Sequence, residues 1–183
     1  MISDVDDTIK KTGVTVGRTH LKNLPWLLLD PIRPWRPIPG MARLYQGFRK
    51  NLDASFLYVS KGPPFSRDRL EQGLMRYQFP AGRIRLDDKF PSAAANYKFA
   101  TISPVISQSK GARYILIGDS GEADPENYGM LARKYPKAID RIFIRSVTTD
   151  SEERYHVAFR NIPRSKWKVF VLPEEIKYLQ RRL

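Results

Sequence analysis

The chain has 183 residues, of which 42% are hydrophobic and 28% charged, a length and composition typical of one globular domain. The absence of cysteine excludes disulfides and thiol catalysis, and two histidines are too few for a multi-histidine zinc site. The formal net charge of +13 favours anionic partners such as nucleic acid, acidic lipid headgroups or phosphorylated substrates. No apolar run approaches the length of a membrane-spanning helix.

Apolar runs of strand length alternate with amphipathic segments of helix length. In chain order we predict a strand at 1–5, a helix at 40–52, a strand at 54–59, a helix at 67–77, a short strand at 83–86, a helix at 97–109, a strand at 114–117, a helix at 125–135, a strand at 139–144 and a basic helix at 173–182. Ser66 and Asp124 are the expected N-caps of the second and fourth helices. The alternation predicts an α/β fold with a parallel sheet covered on both faces.

The segment between the first strand and the first helix has no regular pattern. Val14 and Val16 alternate with polar residues, which indicates a short β-flap, and four prolines make 30–39 an irregular loop. The apolar run 24–29, followed by basic residues and Trp35, fits either a flap that dips into an anionic membrane or a segment packed on the core. Because only five residues are available for the first strand, we expect the natural sequence to continue upstream.

Polar side chains follow three of the predicted strands. Asp4 and Asp6 come at the end of the first strand, Ser60 follows the second and Asp119 follows the fourth. In open parallel sheets, ligands bind just outside the carboxyl ends of the strands. If these strands are neighbours, the four side chains converge on one crevice.

The residue types at these positions suit phosphoryl transfer. Carboxylates bind hard divalent cations such as Mg²⁺, which neutralise the charge of a phosphate monoester. One carboxylate can attack phosphorus and form a covalent intermediate, and a second can protonate the leaving alcohol and later activate water. A hydroxyl and a lysine would hold the phosphoryl oxygens.

Several segments resemble a known family. Residues 3–8, Ser-Asp-Val-Asp-Asp-Thr, resemble the Asp-x-Asp-x-Thr motif of the haloacid dehalogenase superfamily, Ser60 resembles its second motif, and 118–124 resembles its acidic fourth motif. From about residue 2 to 147 the chain is similar to the actin-patch phosphatidate phosphatase family, through segments 2–10, 39–45, 58–60, 98–102, 117–128 and 144–147. The resemblance implies a Rossmann-like α/β domain of the haloacid dehalogenase type over 1–183, with a small flap or cap at roughly 9–39.

The resemblance also implies an activity and roles for individual residues. It implies a cytoplasmic enzyme, peripherally associated with membranes, that hydrolyses phosphatidate to diacylglycerol with Mg²⁺ through a phospho-aspartate. The implied roles are Asp4 as nucleophile, Asp6 as general acid and base, Ser60 and Lys98 as phosphate-binding groups, and Asp4, Asp6, Asp119 and Asp124 as the metal site. Lys89 and Lys110 are rivals for the role of Lys98. The implied partners are an anionic phospholipid at a membrane surface and actin-patch proteins.

One segment departs from the family. After Ser60 the chain has Lys-Gly-Pro-Pro-Phe at 61–65, where the family usually has an Asn-Ser-Pro-Trp-like turn. This departure leaves the substrate contacts near Ser60 open.

Two other functions fit the same residues. The chemistry could serve nucleic-acid ends or small phosphomonoesters, although the leucine run beside Trp26 favours lipid over nucleic acid. A non-catalytic adaptor for membranes or actin-associated proteins would not need Asp4, Asp6 and Asp119 together. Of the remaining acids, Asp7 is expected to be structural and Glu122 to be an exposed loop residue.

Overall fold

The computed structural model describes residues 1–12, 35–90, 94–109, 111–149 and 151–181. Within these ranges the strands are β1 (Ile2–Asp4), β2 (Phe56–Val59), β3 (Gly82–Arg85), β4 (Tyr114–Asp119), β5 (Ile139–Arg145) and β6 (Trp167–Phe170). The α-helices are α1 (Met41–Leu52), α2 (Arg67–Arg76), α3 (Tyr97–Gln108), α4 (Asp124–Lys134) and α5 (Glu152–Ala158). Short 3₁₀ helices occupy Pro64–Ser66, Arg164–Lys166 and Pro173–Arg181.

All of these strands are parallel and form one sheet in the order β3-β2-β1-β4-β5-β6. The strand β1 therefore lies between β2 and β4, with Asp4 beside Val59. Further along the sheet, Arg145 pairs with Asp119 on one side and with Phe170 on the other. The carboxyl ends of the strands meet at one side of the sheet, which we call the carboxyl edge. The order of strands reverses at β1, the position where open α/β sheets bind ligands.

Helices cover both faces of the sheet, as expected for parallel strands that are buried runs. On one face α1 packs through Met41, Leu44, Tyr45 and Phe48, the apolar stripe seen in the sequence, with α2 beside it. On the other face α3, α4 and α5 enclose a second core. The fold predicted from the sequence is confirmed.

Every helix and strand predicted within the described residues is present, with its ends within two residues of the prediction. The terminal helix is a 3₁₀ helix, and α5 and β6 are not among the predicted elements. The basic and aromatic residues at 164–168 reach the start of β6, which lies at the edge of the sheet. Its Trp167 is buried against Phe159, with the Arg164 guanidinium 4.0 Å from the indole centroid.

The two predicted helix caps differ from the structure in different ways. Ser66 occupies the N-cap position of α2, but its hydroxyl donates to the Pro63 carbonyl at 2.7 Å and makes no capping hydrogen bond. Asp124 is itself the first residue of α4, and its carboxylate points toward β4, not to the helix amides. The burial of Asp124 beside other charged groups explains this difference, because those groups compete with the helix amides for its oxygens.

Trp35 belongs to the core. Its ring stacks on Tyr77 with 5.3 Å between centroids and meets Phe79 edge-on at 5.8 Å. Of the two alternatives, membrane contact and packing on the core, the structure therefore shows packing on the core for Trp35. The predicted β-flap and the apolar run 24–29 lie outside the described residues.

Candidate active site

Asp4 ends β1 near the middle of the carboxyl edge, and other candidate residues surround it. Lys98, in the first turn of α3, places its Nζ 2.6 Å from Asp4 Oδ1 and also contacts Asp124 Oδ1. Asp119 ends β4, the strand next to β1. Asp4, Lys98, Asp119 and Asp124 are all buried, and we call these four residues the acidic cluster.

The start of α3 is fixed by Asn127 of α4. The Phe99 amide donates to Asn127 Oδ1 at 2.9 Å, and Asn127 Nδ2 donates to the Ala95 carbonyl at 2.8 Å. A second bond from Asn127 Nδ2 reaches the Ala123 carbonyl at 2.6 Å. One side chain thus joins the first turns of two helices, and this contact holds Lys98 against Asp124.

The loop between β4 and α4 is shaped around its own carboxylates. The Gly121 amide donates to Asp119 Oδ1 at 2.6 Å, and the Asp119 amide donates to Asp124 Oδ2 at 3.2 Å. Gly118 leaves the space that this loop needs, because a Cβ there would lie 2.8 Å from Asp124 Cγ and closer still to Oδ2. Thr8, in the turn after β1, donates to Asp119 Oδ2 at 3.5 Å.

Burial and crowding shift the pKa values of the acidic cluster. Burial raises the pKa of Asp4 well above its ordinary value; Lys98 opposes this rise, while Asp124 and the other acids add to it. Burial and then Asp124 raise the pKa of Asp119 to about 7. Burial alone would lower the pKa of Lys98, but Asp124 and Asp4 raise it well above the usual value, so the ammonium stays charged.

The acidic cluster fits a divalent cation. Oxygens of Asp4, Asp119 and Asp124 lie within 4.8 Å of one another. Among the described residues, Asp4 Oδ2 is buried and accepts no hydrogen bond. If all three carboxylates are ionised, they and the ammonium carry a net charge of about −2, which a cation such as Mg²⁺ would balance with the oxygen ligands it prefers.

Asp6 lies apart from the acidic cluster. Its Oδ2 accepts a hydrogen bond from the Ser60 hydroxyl at 2.7 Å, and its Oδ1 is 4.0 Å from Lys10 Nζ. The Gly62 amide donates to Ser60 Oγ at 2.9 Å, so the turn after β2 holds this hydroxyl in place. Asp6 and Ser60 are thus brought together, but the Asp6 carboxylate is not among the three whose oxygens lie within 4.8 Å of one another.

Glu122 is not the exposed acid that the sequence indicated. It is half-buried, with Oε2 3.8 Å from Lys98 Nζ and 3.9 Å from Lys61 Nζ. Asp7 is buried and accepts the Thr12 amide at 2.9 Å, in keeping with its expected structural role. Of the two rivals to Lys98, Lys89 is exposed, and Lys110 lies outside the described residues.

Two arginines hold the site and were missed in the sequence. Arg154 of α5 pairs with Glu126 at 2.8 Å and donates to the carbonyls of Ser120 and Glu122 in the acidic loop. Arg145 ends β5 and donates to the Asp7 carbonyl at 2.7 Å, which ties β5 to the turn after β1. These arginines contact residues that are 28 to 138 positions away in the sequence, so no local pattern predicts the contacts.

A family model described as "Phosphatidate phosphatase APP1, catalytic domain" matches residues 1–146. The chain belongs to this family. The family includes phosphatases, and the match spans β1 to β5 and all the residues of the acidic cluster.

Two curated relatives agree with this assignment. Phosphatidate phosphatase APP1 of Saccharomyces cerevisiae is 33% identical over 153 residues, which cover 79% of this chain and 25% of the relative. An uncharacterised protein of Schizosaccharomyces pombe is 30% identical over 159 residues, which cover 82% of this chain and 25% of the relative. The chain therefore spans about a quarter of the length of the curated relatives it matches.

A solved structure supports the fold independently. The crystal structure of a Thermotoga maritima protein, proposed to be a beta-phosphoglucomutase, superposes with a TM-score of 0.57 at 14% identity. The match covers 100% of this chain and 98% of the other. The likeness concerns the fold, which is the haloacid dehalogenase type expected from the sequence.

Proposed function

We propose that the chain is a magnesium-dependent phosphatidate phosphatase that works through a phospho-aspartate on Asp4. One observation carries the proposal: Asp4 Oδ1 is held by Lys98, while Oδ2 is buried at the carboxyl edge with no hydrogen bond from any described residue. A carboxylate fixed in this way has one oxygen available for a cation or a phosphorus atom. Family membership supports phosphatidate as the substrate.

In the proposed mechanism, a carboxylate oxygen of Asp4 attacks phosphorus and the bond from phosphorus to the glycerol oxygen breaks. Asp6 gives its proton to the departing alkoxide, which leaves as diacylglycerol. Asp6 then takes a proton from water, and the water oxygen attacks the phospho-aspartate to release phosphate and restore Asp4. The protons balance, because Asp6 ends each cycle protonated, as it began.

The other residues stabilise charge. The Lys98 ammonium, next to Asp4, and the Ser60 hydroxyl, next to Asp6, would hold phosphoryl oxygens in place. Asp4, Asp119 and Asp124 would hold Mg²⁺. Bound Mg²⁺ supplies positive charge that offsets the repulsion between the carboxylates and the phosphoryl group.

Peripheral association with a membrane is part of the proposal, because phosphatidate resides in bilayers. No helix in the described part of the chain is long and apolar enough to cross a membrane. The net charge of +13 supports attraction to an anionic lipid surface.

The test is phosphate release from phosphatidate in mixed micelles, with Mg²⁺ or with EDTA. We expect Mg²⁺-dependent release by the wild type and a loss of more than about a thousandfold in Asp4→Asn. Asp53→Asn is the matched control, because Asp53 is exposed beyond the end of α1 and its positive φ suits asparagine.

Other outcomes separate the parts of the proposal. Release from a soluble aryl phosphate but not from phosphatidate would keep the chemistry and reject the lipid substrate. Release from neither, by a protein shown to be folded, would reject the enzyme and favour an adaptor.

A further inference from the structure

Large apolar side chains are exposed at only a few places in the described part of the chain. They are Phe65 at 62%, Met75 at 76%, Val157 at 63%, Val171 at 56% and Leu172 at 60%. Single exposed apolar residues are normal on protein surfaces, so their positions decide whether they matter. Met75 and Val157 lie near the ends of α2 and α5, whereas Phe65, Val171 and Leu172 follow the carboxyl ends of β2 and β6.

Phe65 is held outward by a rigid turn. It lies between Pro64 and Ser66 in the 3₁₀ helix after β2, and Pro63 before it is buried. The amide and the hydroxyl of Ser66 both donate to the Pro63 carbonyl, at 3.0 and 2.7 Å. Pro64 restricts the backbone just before Phe65, so the phenyl ring stays at the surface.

The Val171–Leu172 turn is fixed in a similar way. The amides of both residues donate to Glu175 Oε1, at 3.0 and 2.7 Å. Lys168 Nζ donates to the Glu175 carbonyl at 2.7 Å, which ties the turn back to β6. This pair of side chains is therefore presented to solvent by hydrogen-bonded backbone.

The two turns lie on opposite sides of the nucleophile. The sheet order places β1, with Asp4, next to β2 on one side, and β4 and β5 between it and β6 on the other. With about 4.8 Å between neighbouring strands, β2 and β6 are about 19 Å apart. Two separate apolar points at this distance do not form one continuous patch of the kind that a protein partner covers.

Exposed cations lie at the same edge. Lys11 and Arg36 are exposed in the segment beyond β1, where the Lys11 amide donates to the Arg36 carbonyl at 2.7 Å. Arg67 is exposed two residues after Phe65, with Glu71 3.9 Å away as a weak partner. Apolar side chains accompanied by exposed basic residues at one edge match a flat surface that has an apolar interior and anionic headgroups. A nucleic acid would bind the cations but would gain little from the aliphatic side chains of Val171 and Leu172.

We propose that the carboxyl edge rests on a bilayer that contains anionic phospholipid, with Phe65 and the Val171–Leu172 pair entering the interface on either side of Asp4. The proposal rests on the proposed function, since this orientation turns the active site toward a substrate in the membrane. It adds the surface that makes the contact and the residues that anchor it.

The test measures binding to vesicles of phosphatidylcholine with and without phosphatidylserine. Neither lipid is the proposed substrate, so a failure of docking is separated from a failure of catalysis. We expect Phe65→Ser, and the pair Val171→Ser with Leu172→Ser, each to weaken binding to the anionic vesicles about tenfold, by the apolar area that no longer leaves water. Phe65→Trp should retain binding, because tryptophan favours the interface.

Met75→Ser and Val157→Ser are the matched controls and should bind like the wild type. Thermal melting shows whether each variant is folded, and the exposed positions should leave its midpoint unchanged. Equal binding by the edge variants and the controls would overturn the proposal. Binding that does not depend on phosphatidylserine would also overturn it. The same holds if the edge variants lose binding to a single-stranded oligonucleotide, used as a competing ligand, but keep binding to vesicles.

Discussion

The buried and exposed halves of the site place similar groups in different surroundings. In the buried half, Asp4, Lys98 and Asp124 are at most 2% exposed and are joined by ion pairs. In the exposed half, the Asp6 side chain is 32% exposed and shares a hydrogen bond with Ser60. Asp4 and Asp6 are two residues apart in sequence, yet their environments suit different roles.

The difference in exposure between Asp4 and Asp6 matches two different requirements, a fixed position for one carboxylate and proton exchange for the other. In the proposed mechanism Asp4, as the nucleophile, must be held at a fixed distance from phosphorus, and its ion pair with Lys98 would provide that fixation. A general acid and base must gain and lose protons in each cycle, which contact with water allows. Apart from the proposed nucleophile Asp4, the buried half should therefore respond to mutation mainly in stability and metal binding, and the exposed half mainly in turnover.

The largest expected effect is on stability, in Lys98→Met. Removing the ammonium leaves buried carboxylates without their partner, which costs about 3–5 kcal/mol in the free energy of unfolding. Urea denaturation in EDTA measures this, with the exposed Lys89→Met as control. A loss below about 1 kcal/mol would show that the buried ion pairs do not hold the site together.

Asp6→Asn should reduce turnover about a hundredfold or more and leave stability within about 0.5 kcal/mol of the wild type. Asparagine can still accept the Ser60 hydrogen bond but cannot transfer a proton. Steady-state rates with a soluble aryl phosphate, together with urea denaturation, separate the two effects. Turnover like that of the wild type would remove Asp6 from the acid–base role.

Arg154→Met tests whether α5 supports the buried half from outside. Loss of the contacts to Glu126 and the two loop carbonyls should raise the Mg²⁺ concentration for half-maximal activity about 10–100-fold. The exposed Arg160→Met is the control on the same side of the molecule. An unchanged Mg²⁺ dependence would mean that the loop keeps its shape without this arginine.

The smallest effect is a pH dependence of stability, measured in EDTA. The pKa of Asp119 is about 7 in the folded chain and near 3.8 when unfolded, so the folded state holds this proton more tightly. Stability should therefore fall as pH rises from about 4 to about 7 and level off above that. In Asp119→Asn the decline should be shallower, by about 1.4 kcal/mol for each pH unit below the folded pKa. Melting curves at pH 5 and pH 8 compare the two proteins, and identical slopes would contradict the shift.

Much of the fold could be predicted because local signals agree with each other. The stripe Met41, Leu44, Tyr45 and Phe48 and the apolar runs of β2 and β4 are local patterns, and all are buried as expected. The polar residues at the strand ends could be placed together because a parallel sheet aligns its carboxyl ends. The helix α5 was missed because its seven residues form too short a pattern to identify.

The parts of the site that could not be predicted depend on distant contacts. Lys98 faces Asp4 because Asn127 fixes the first turn of α3, and no spacing in the sequence encodes that bond. The sequence predicts an exposed Glu122, but the side chain is half-buried, because its partners, Lys98 and Lys61, come from two other segments. Electrostatic pairing across the fold, and not local propensity, decides the orientation of these side chains.

Gly118 has a practical meaning for protein engineering. Even one methyl group at this position would push Asp124 away from the loop, so a library that randomises residue 118 would consist mostly of inactive clones. Pro64 and Phe65 are different, since both are exposed and neither belongs to the hydrophobic core. Directed evolution of this chain should begin at those two positions and leave Gly118 untouched.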